Sequence, residues 1–140
     1  MEGFYQQKGR QNDFKVGAYA LSFQGEDYHY FLRDHLEKLS EELKQNSTQE
    51  MKVLFSLDTQ PILERDLAYR AGLGWFGKNA MLISKDHGSF VMIGAILTDQ
   101  KFELPMREVD LDHCGTCLAC VEACPTDAIN PITRTVNAKT

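Results

Sequence analysis

Outside residues 114–124 the chain has no cysteine, and nowhere does it have an apolar run long enough to cross a bilayer. A spanning helix needs roughly 18–20 consecutive apolar residues. The first absence rules out a disulfide framework spread over the fold, and the second leaves no helical membrane span to expect. Positive charge is also short: 15 Lys and Arg stand against 20 Asp and Glu, a net charge of −5. Affinity for a nucleic-acid backbone comes mainly from cations that neutralise phosphates, so unassisted binding is disfavoured, although a local basic patch stays open. The first residues, MEGFYQQKGRQNDF, lack the apolar core of a signal peptide. A cytoplasmic, membrane-free location is the default expectation. There is no internal repeat and no low-complexity tract.

What is present is the composition of a globular protein. The 140 residues are 43% apolar and 25% charged, enough to bury one ordinary core. KVGAYALSF (15–23) reads as a strand weakened by Gly17. DYHYFLRDHLEKLSEELKQN predicts a helix over roughly 27–45, with Asp27 as N-cap and Asn46 and Ser47 closing it. Its apolar residues Phe31, Leu32, Leu36, Leu39 and Leu43 recur at three and four, the amphipathic spacing. MKVLFSLD (51–58) reads as a buried strand ending on an aspartate. A second helix is expected in TQPILERDLAYRAG, with Pro61 in its first turn and Gly72 as a left-handed C-terminal cap. Strands are then expected at 80–84 and 89–99, separated by the turn Asp86-His87-Gly88. Helices and strands mix without strand–helix–strand units, so the fold class is α+β with a small metallocluster lobe.

All four cysteines follow the spacing Cys114-x2-Cys117-x2-Cys120-x3-Cys124-Pro125. Zinc normally takes two separated pairs that close a tetrahedron, whereas this compact run is the bacterial ferredoxin spacing. In that spacing the first three cysteines hold one [4Fe–4S] cluster, and in two-cluster ferredoxins the fourth ligates the other. No second run exists in the chain. Either a single cluster forms, completed by Cys124 or a non-cysteine ligand, or part of the protein lies outside this sequence.

Two further stretches carry chemistry. Asp58 ends an apolar strand and precedes a helix. It reads either as a cap near the helix N-terminus or as a general acid, partly desolvated by Phe55 and Leu57. AGLGWFGKN (71–79) contains GxGxxG, but it follows a helix and precedes a strand, the reverse of a dinucleotide fingerprint. It is no P-loop either, since Gly77-Lys78 has no following Ser or Thr. Its glycines predict a close approach of backbone to a neighbour or a ligand, with Lys78 solvated. His29, His35 and His87 are scattered without visible partners, and His113 adjoins Cys114.

YALSFQGEDYHYFLRDHLEKL, LDTQPILERDLAYRAGLGWFGKNAMLIS, GSFVMIGAILTD and DHCGTCLACVEACPTDAI occur in this order. Together they resemble the epoxyqueuosine reductase family, cobalamin-dependent iron–sulfur enzymes of queuosine tRNA modification. The resemblance covers about residues 18–130. It implies a partial cobalamin-binding α/β layer over 1–105, followed by the first half of a ferredoxin-like two-[4Fe–4S] module over 106–140. It implies that clusters pass electrons to a cobalamin, whose reduced cobalt engages the epoxide of epoxyqueuosine in the tRNA anticodon loop. By the same resemblance Asp58 is the proton donor and a contact of the cofactor. Lys78, Asn79, Ala80, Leu82 and Gly94 would line the cobalamin, Cys114, Cys117 and Cys120 would ligate the first cluster, and Cys124 the second. An external electron donor is implied as a partner. The family also carries an earlier N-terminal segment, a downstream cysteine run and commonly a helical-repeat tail. The expectation is therefore an incomplete chain. The alternative is a small single-cluster ferredoxin-like electron carrier without catalysis.

Overall fold

In the computed structural model, which describes residues 26–103, 108, 109 and 111–139, the first helix α1 runs over Tyr28–Gln45. The expected strand at 15–23 lies outside the described residues. Asp27 caps α1 as its sequence predicts: the carboxylate accepts the N–H of His29 at 3.0 Å. At the other end the N–H of Asn46 reaches Glu42 O at 3.2 Å. The predicted apolar stripe is only partly inward. Leu36 is buried, Leu32 and Leu43 are half-buried, and Phe31 and Leu39 are exposed. Ser40 takes a place in the buried stripe, 2% exposed. It can do so because its hydroxyl donates to Glu37 O at 2.7 Å, leaving no donor unmet.

The described residues form two compact units. The first holds α1 and an antiparallel pair, β1 (Val53–Ser56) with β4 (Ala95–Thr98). Their register sets Val53 opposite Thr98 and Ser56 opposite Ala95. A two-stranded sheet is marginal in water without a covering layer. Here α1 packs against both strands. The core around it contains Leu36, Ser40, Met51, Ser56 and Leu57. Gln100 extends the pairing, its Nε2 donating to the carbonyls of Gln49 and Glu50, each at 3.2 Å. Both strands are shorter than the apolar runs at 51–58 and 89–99, the ladder ending at Ser56 opposite Ala95.

The second unit begins at Asp58 and resumes at Lys101. Its helix α2 spans only Glu64–Arg70, and Leu63 occupies the N-cap without a side-chain bond. The expectation of Pro61 in the first helical turn is therefore corrected. Proline disfavours the helical region for the residue before it. The chain instead turns tightly, Ile62 N–H donating to Gln60 O at 2.7 Å, and the helix starts after it. Gly72 is the left-handed terminator as expected, with φ 69° and the N–H of Leu73 on Ala68 O at 3.0 Å.

A hairpin follows, β2 (Trp75–Phe76) against β3 (Leu82–Ile83), pairing Trp75 with Ile83 and Phe76 with Leu82. Its loop closes through Gly77 N–H on Met81 O at 2.8 Å and Asn79 Oδ1 on Met81 N–H at 3.1 Å. The turn at 84–88 is present, Ser84 and Gly88 exchanging backbone bonds at 2.8 and 2.9 Å. The unit ends in a single-turn helix α3 (Ala119–Glu122) and a short hairpin, β5 (Ile129–Asn130) with β6 (Thr135–Val136). Buried Ala68, Ala80, Leu82 and Ala128 lie in this unit. The mixed helix-and-strand class matches the α+β expectation.

Candidate metal centre

The cysteine loop is built from consecutive turns. Cys117 N–H donates to Cys114 O at 2.9 Å, closing the first Cys-x-x-Cys stretch. Gly115 within it has φ 47°, and a Cβ there would meet nothing within 4 Å. Glycine is thus favoured by backbone conformation and not by crowding. Leu118 O then accepts from Val121 and Glu122 at 2.9 and 3.0 Å, starting α3, which carries Cys120. Cys124 follows the helix, its N–H on Val121 O at 3.1 Å.

Cys114, Cys120 and Cys124 are half-buried and Cys117 is exposed; all four are free thiols. The backbone N–H of Thr126 and then its hydroxyl, 3.7 Å from the sulfur, hold the Cys124 thiol below its ordinary pKa. Among the described residues, no three His, Cys, Asp or Glu side chains form a group that could hold a metal ion. The fit to an iron–sulfur cluster therefore rests on the donor set: four soft sulfur ligands on one loop of ferredoxin spacing.

The hairpin β2–β3 grips this loop at several points. The Lys78 ammonium donates to Gly115 O at 2.7 Å and to Cys117 O at 3.0 Å. The Trp75 and His113 rings meet edge to face, centroids 4.7 Å apart and planes at 64°. Arg134 donates to Phe76 O and also to Asp112 Oδ2. The other oxygen of Asp112 accepts the N–H of Cys114 at 2.8 Å. That N–H and then the Arg134 guanidinium keep the Asp112 carboxyl below the usual range. The hairpin is itself closely built: a Cβ on Gly74 would stand 2.1 Å from Ile83 O, and one on Gly77 2.4 Å from Ile83 Cδ1.

The expectation of a solvated Lys78 is thus corrected, since its amine is held on two carbonyls. Of the other residues read as cofactor contacts, Asn79 turns its side-chain oxygen to Met81 N–H. Ala80 is buried with φ 62°, and its carbonyl accepts from Arg65. Leu82 is a core residue, 3% exposed. Gly94, in the first unit, is exposed, and a Cβ on it would press on Leu36 Cδ1 at 3.1 Å. What a side chain there would meet is the core of its own unit, Leu36 and Leu57.

Asp58 is exposed, one residue after buried Leu57, and its backbone is left-handed with φ 60°. It is not the buried carboxyl expected beside Phe55 and Leu57. It is not the helix N-cap either, a place held by Leu63. A groove of 440 Å³ is lined by Ile62, Leu63, Arg65 and Phe76 among others, and neither Asp58 nor a cysteine lines it. His29 and His35 have partners that the sequence hid, Asp27 Oδ1 at 2.6 Å and Phe31 O at 2.8 Å. Local spacing, two residues and four, is the signal that could have found both.

Comparison with known proteins bears on both halves of the chain. Residues 3–59 match the family described as "Epoxyqueuosine reductase QueG, DUF1730", and residues 107–130 match the 4Fe–4S binding domain. An epoxyqueuosine reductase of Cyclobacterium marinum is 41% identical over 122 residues, which is 85% of this chain and 37% of that protein. Among solved structures, epoxyqueuosine reductase from Streptococcus thermophilus superposes with a TM-score of 0.77 at 33% identity, covering 95% of this chain and 35% of that one. An epoxyqueuosine reductase bound to an epoxyqueuosine-modified tRNA-Tyr stem loop gives 0.70 at 33% identity, over 81% of this chain and 29% of that one. The Bacillus subtilis enzyme, with its aspartate-bearing catalytic loop swung out of the active site, gives 0.69 at 32% identity, over 81% and 28%. The chain thus spans little more than a third of the Cyclobacterium relative's length.

Proposed function

For a chain that belongs over its matched residues to the epoxyqueuosine reductase family, we propose a part in the reduction of epoxyqueuosine to queuosine in tRNA. One observation carries the reading: a ferredoxin-spaced cysteine loop joined to a fold shared with these reductases at a TM-score of 0.77. The alternative, a single-cluster electron carrier, leaves the family match over 3–59 without a purpose.

Removing an epoxide oxygen as water takes two electrons and two protons. Clusters and a cobalamin, when bound, supply the electrons. Residues 1–105 form the proposed cobalamin-binding and catalytic part, and 106–140 the first half of a two-cluster, ferredoxin-like module. Cys114, Cys117 and Cys120 hold the first cluster and Cys124 serves the second. Lys78, Asn79, Ala80 and Leu82 are proposed cobalamin contacts through their stretch of backbone, and Gly94 through its own bare backbone. Asp58 gives one proton to the oxygen as the C–O bond opens. It is an exposed residue, left-handed and past a strand end. That reading is supported by the Bacillus subtilis enzyme's movable aspartate-bearing loop. The tRNA anticodon loop is the proposed substrate and an external electron donor the electron source, both in the cytoplasm.

The test replaces the corresponding segment of a complete epoxyqueuosine reductase with this chain, in a strain lacking the enzyme, and measures queuosine in digested tRNA by mass spectrometry. Queuosine should form, Asp58→Asn should abolish it, and cluster absorbance should survive that change. Normal queuosine levels with Asp58→Asn would remove Asp58 from the chemistry.

A further inference from the structure

Resting on the reading of Cys114, Cys117 and Cys120 as cluster ligands, we propose that Lys78 is a positioning residue of the cluster loop, clamping the first Cys-x-x-Cys turn and raising the cluster's reduction potential. The ammonium bonds two carbonyls of one turn, Gly115 O at 2.7 Å and Cys117 O at 3.0 Å. The same turn is closed from within by Cys117 N–H on Cys114 O. Lysine has three N–H donors and no acceptor, so one donor remains after the clamp is made.

The clamp has a rigid base. Lys78 sits in the hairpin loop between Gly77 and Asn79, whose backbone and side chain both bond Met81. Trp75 and Phe76, just before it, contact His113 directly and Asp112 through Arg134. A single two-residue strand and its loop therefore hold the cysteine loop from residue 112 to residue 117. A lysine merely solvated would leave both carbonyls without this donor, and one pointed at a cofactor elsewhere could not bond them.

The electrostatic consequence follows from charge. A cluster held by thiolates is anionic, and reduction adds one more negative charge; a fixed ammonium on the ligand loop favours the reduced form. Groups around a site tune a metal in the same manner as its ligands' own hydrogen bonds.

The experiment uses the full chain and its Lys78→Met and Lys78→Arg variants, metal-free and after anaerobic reconstitution with iron and sulfide. In the metal-free chain, the carbonyl carbon shifts of Gly115 and Cys117 should move in Lys78→Met and stay near the parent values in Lys78→Arg. In the reconstituted chain, a redox titration followed by electron paramagnetic resonance should show a lower midpoint in Lys78→Met. The expected effect is about a tenfold smaller reduced fraction at fixed potential, or ~59 mV for one electron. Lys78→Arg should restore most of it. Unchanged carbonyl shifts in Lys78→Met, an unchanged midpoint, or an arginine variant that behaves like methionine would each overturn the proposal. If the parent chain takes up no cluster, the claim on the reduction potential falls, and the metal-free carbonyl shifts alone then decide for or against the clamp.

Discussion

Asp112 and Arg134 form an ion pair that ties the terminal hairpin to the start of the cysteine loop. Each partner has a second duty: Asp112 accepts Cys114 N–H, and Arg134 donates to Phe76 O. Removing either therefore undoes more than one bond. Arg134→Met and Asp112→Ala should both speed loss of iron to a chelator, followed by the decay of visible absorbance. The double variant should be little worse than either single one, because the pair acts as a unit. Additive acceleration would show that the two residues act separately.

Gly74 leaves less room for a Cβ than Gly77 does at the β2–β3 hairpin. An alanine methyl would meet Ile83 O at 2.1 Å, a backbone atom that cannot swing aside. Gly74→Ala should cost about 1–3 kcal/mol, the usual range for overpacking, seen as a lower midpoint in urea. Gly88→Ala is the control for crowding: nothing lies within 4 Å of its Cβ, and only its φ of 65° opposes the change. Equal losses at the two positions would place the cost in backbone conformation alone.

Helix α1 should fray in acid. The N–H of His29, then its side chain, hold the Asp27 carboxyl below its ordinary value. The Lys38 ammonium at 2.6 Å does the same for Asp34. Because both titrate lower when folded, their contribution is complete above the unfolded carboxylate value, about 3.9. It disappears as pH falls through the folded values. Far-ultraviolet circular dichroism should lose helix signal in that window. Asp27→Ala should begin with less helix at neutral pH and lose less on acidification; an identical acid transition would remove Asp27 as its source.

The sequence was most legible where one residue type settles one local problem. Asp27 as N-cap, Gly72 as a left-handed terminator, and Gly74 and Gly77 as points of close approach are all found in place. What pattern could not tell was competition between segments. Pro61 was compatible with a first helical turn, but its effect on Gln60 delays the helix to Glu64. Phe31 and Leu39 fit the amphipathic spacing and are nonetheless exposed, while polar Ser40 is buried because its own helix satisfies it. The cysteine run announced its chemistry by spacing. Lys78, thirty-six residues before Cys114 in sequence, carried no local sign of its bond to that loop; only tertiary contact reveals it.

The grip of β2–β3 on the loop also bears on the order of assembly. Many small metal domains fold only as the ion arrives, so binding must supply the free energy of ordering the chain. In this chain the bonds that order the turn at 114–117 are its own backbone bond, the carbonyl clamp and the flanking ion pair, and none of them uses a sulfur atom. Part of the ordering is therefore met by contacts within the fold. The share left for the inorganic part to drive shrinks by that much.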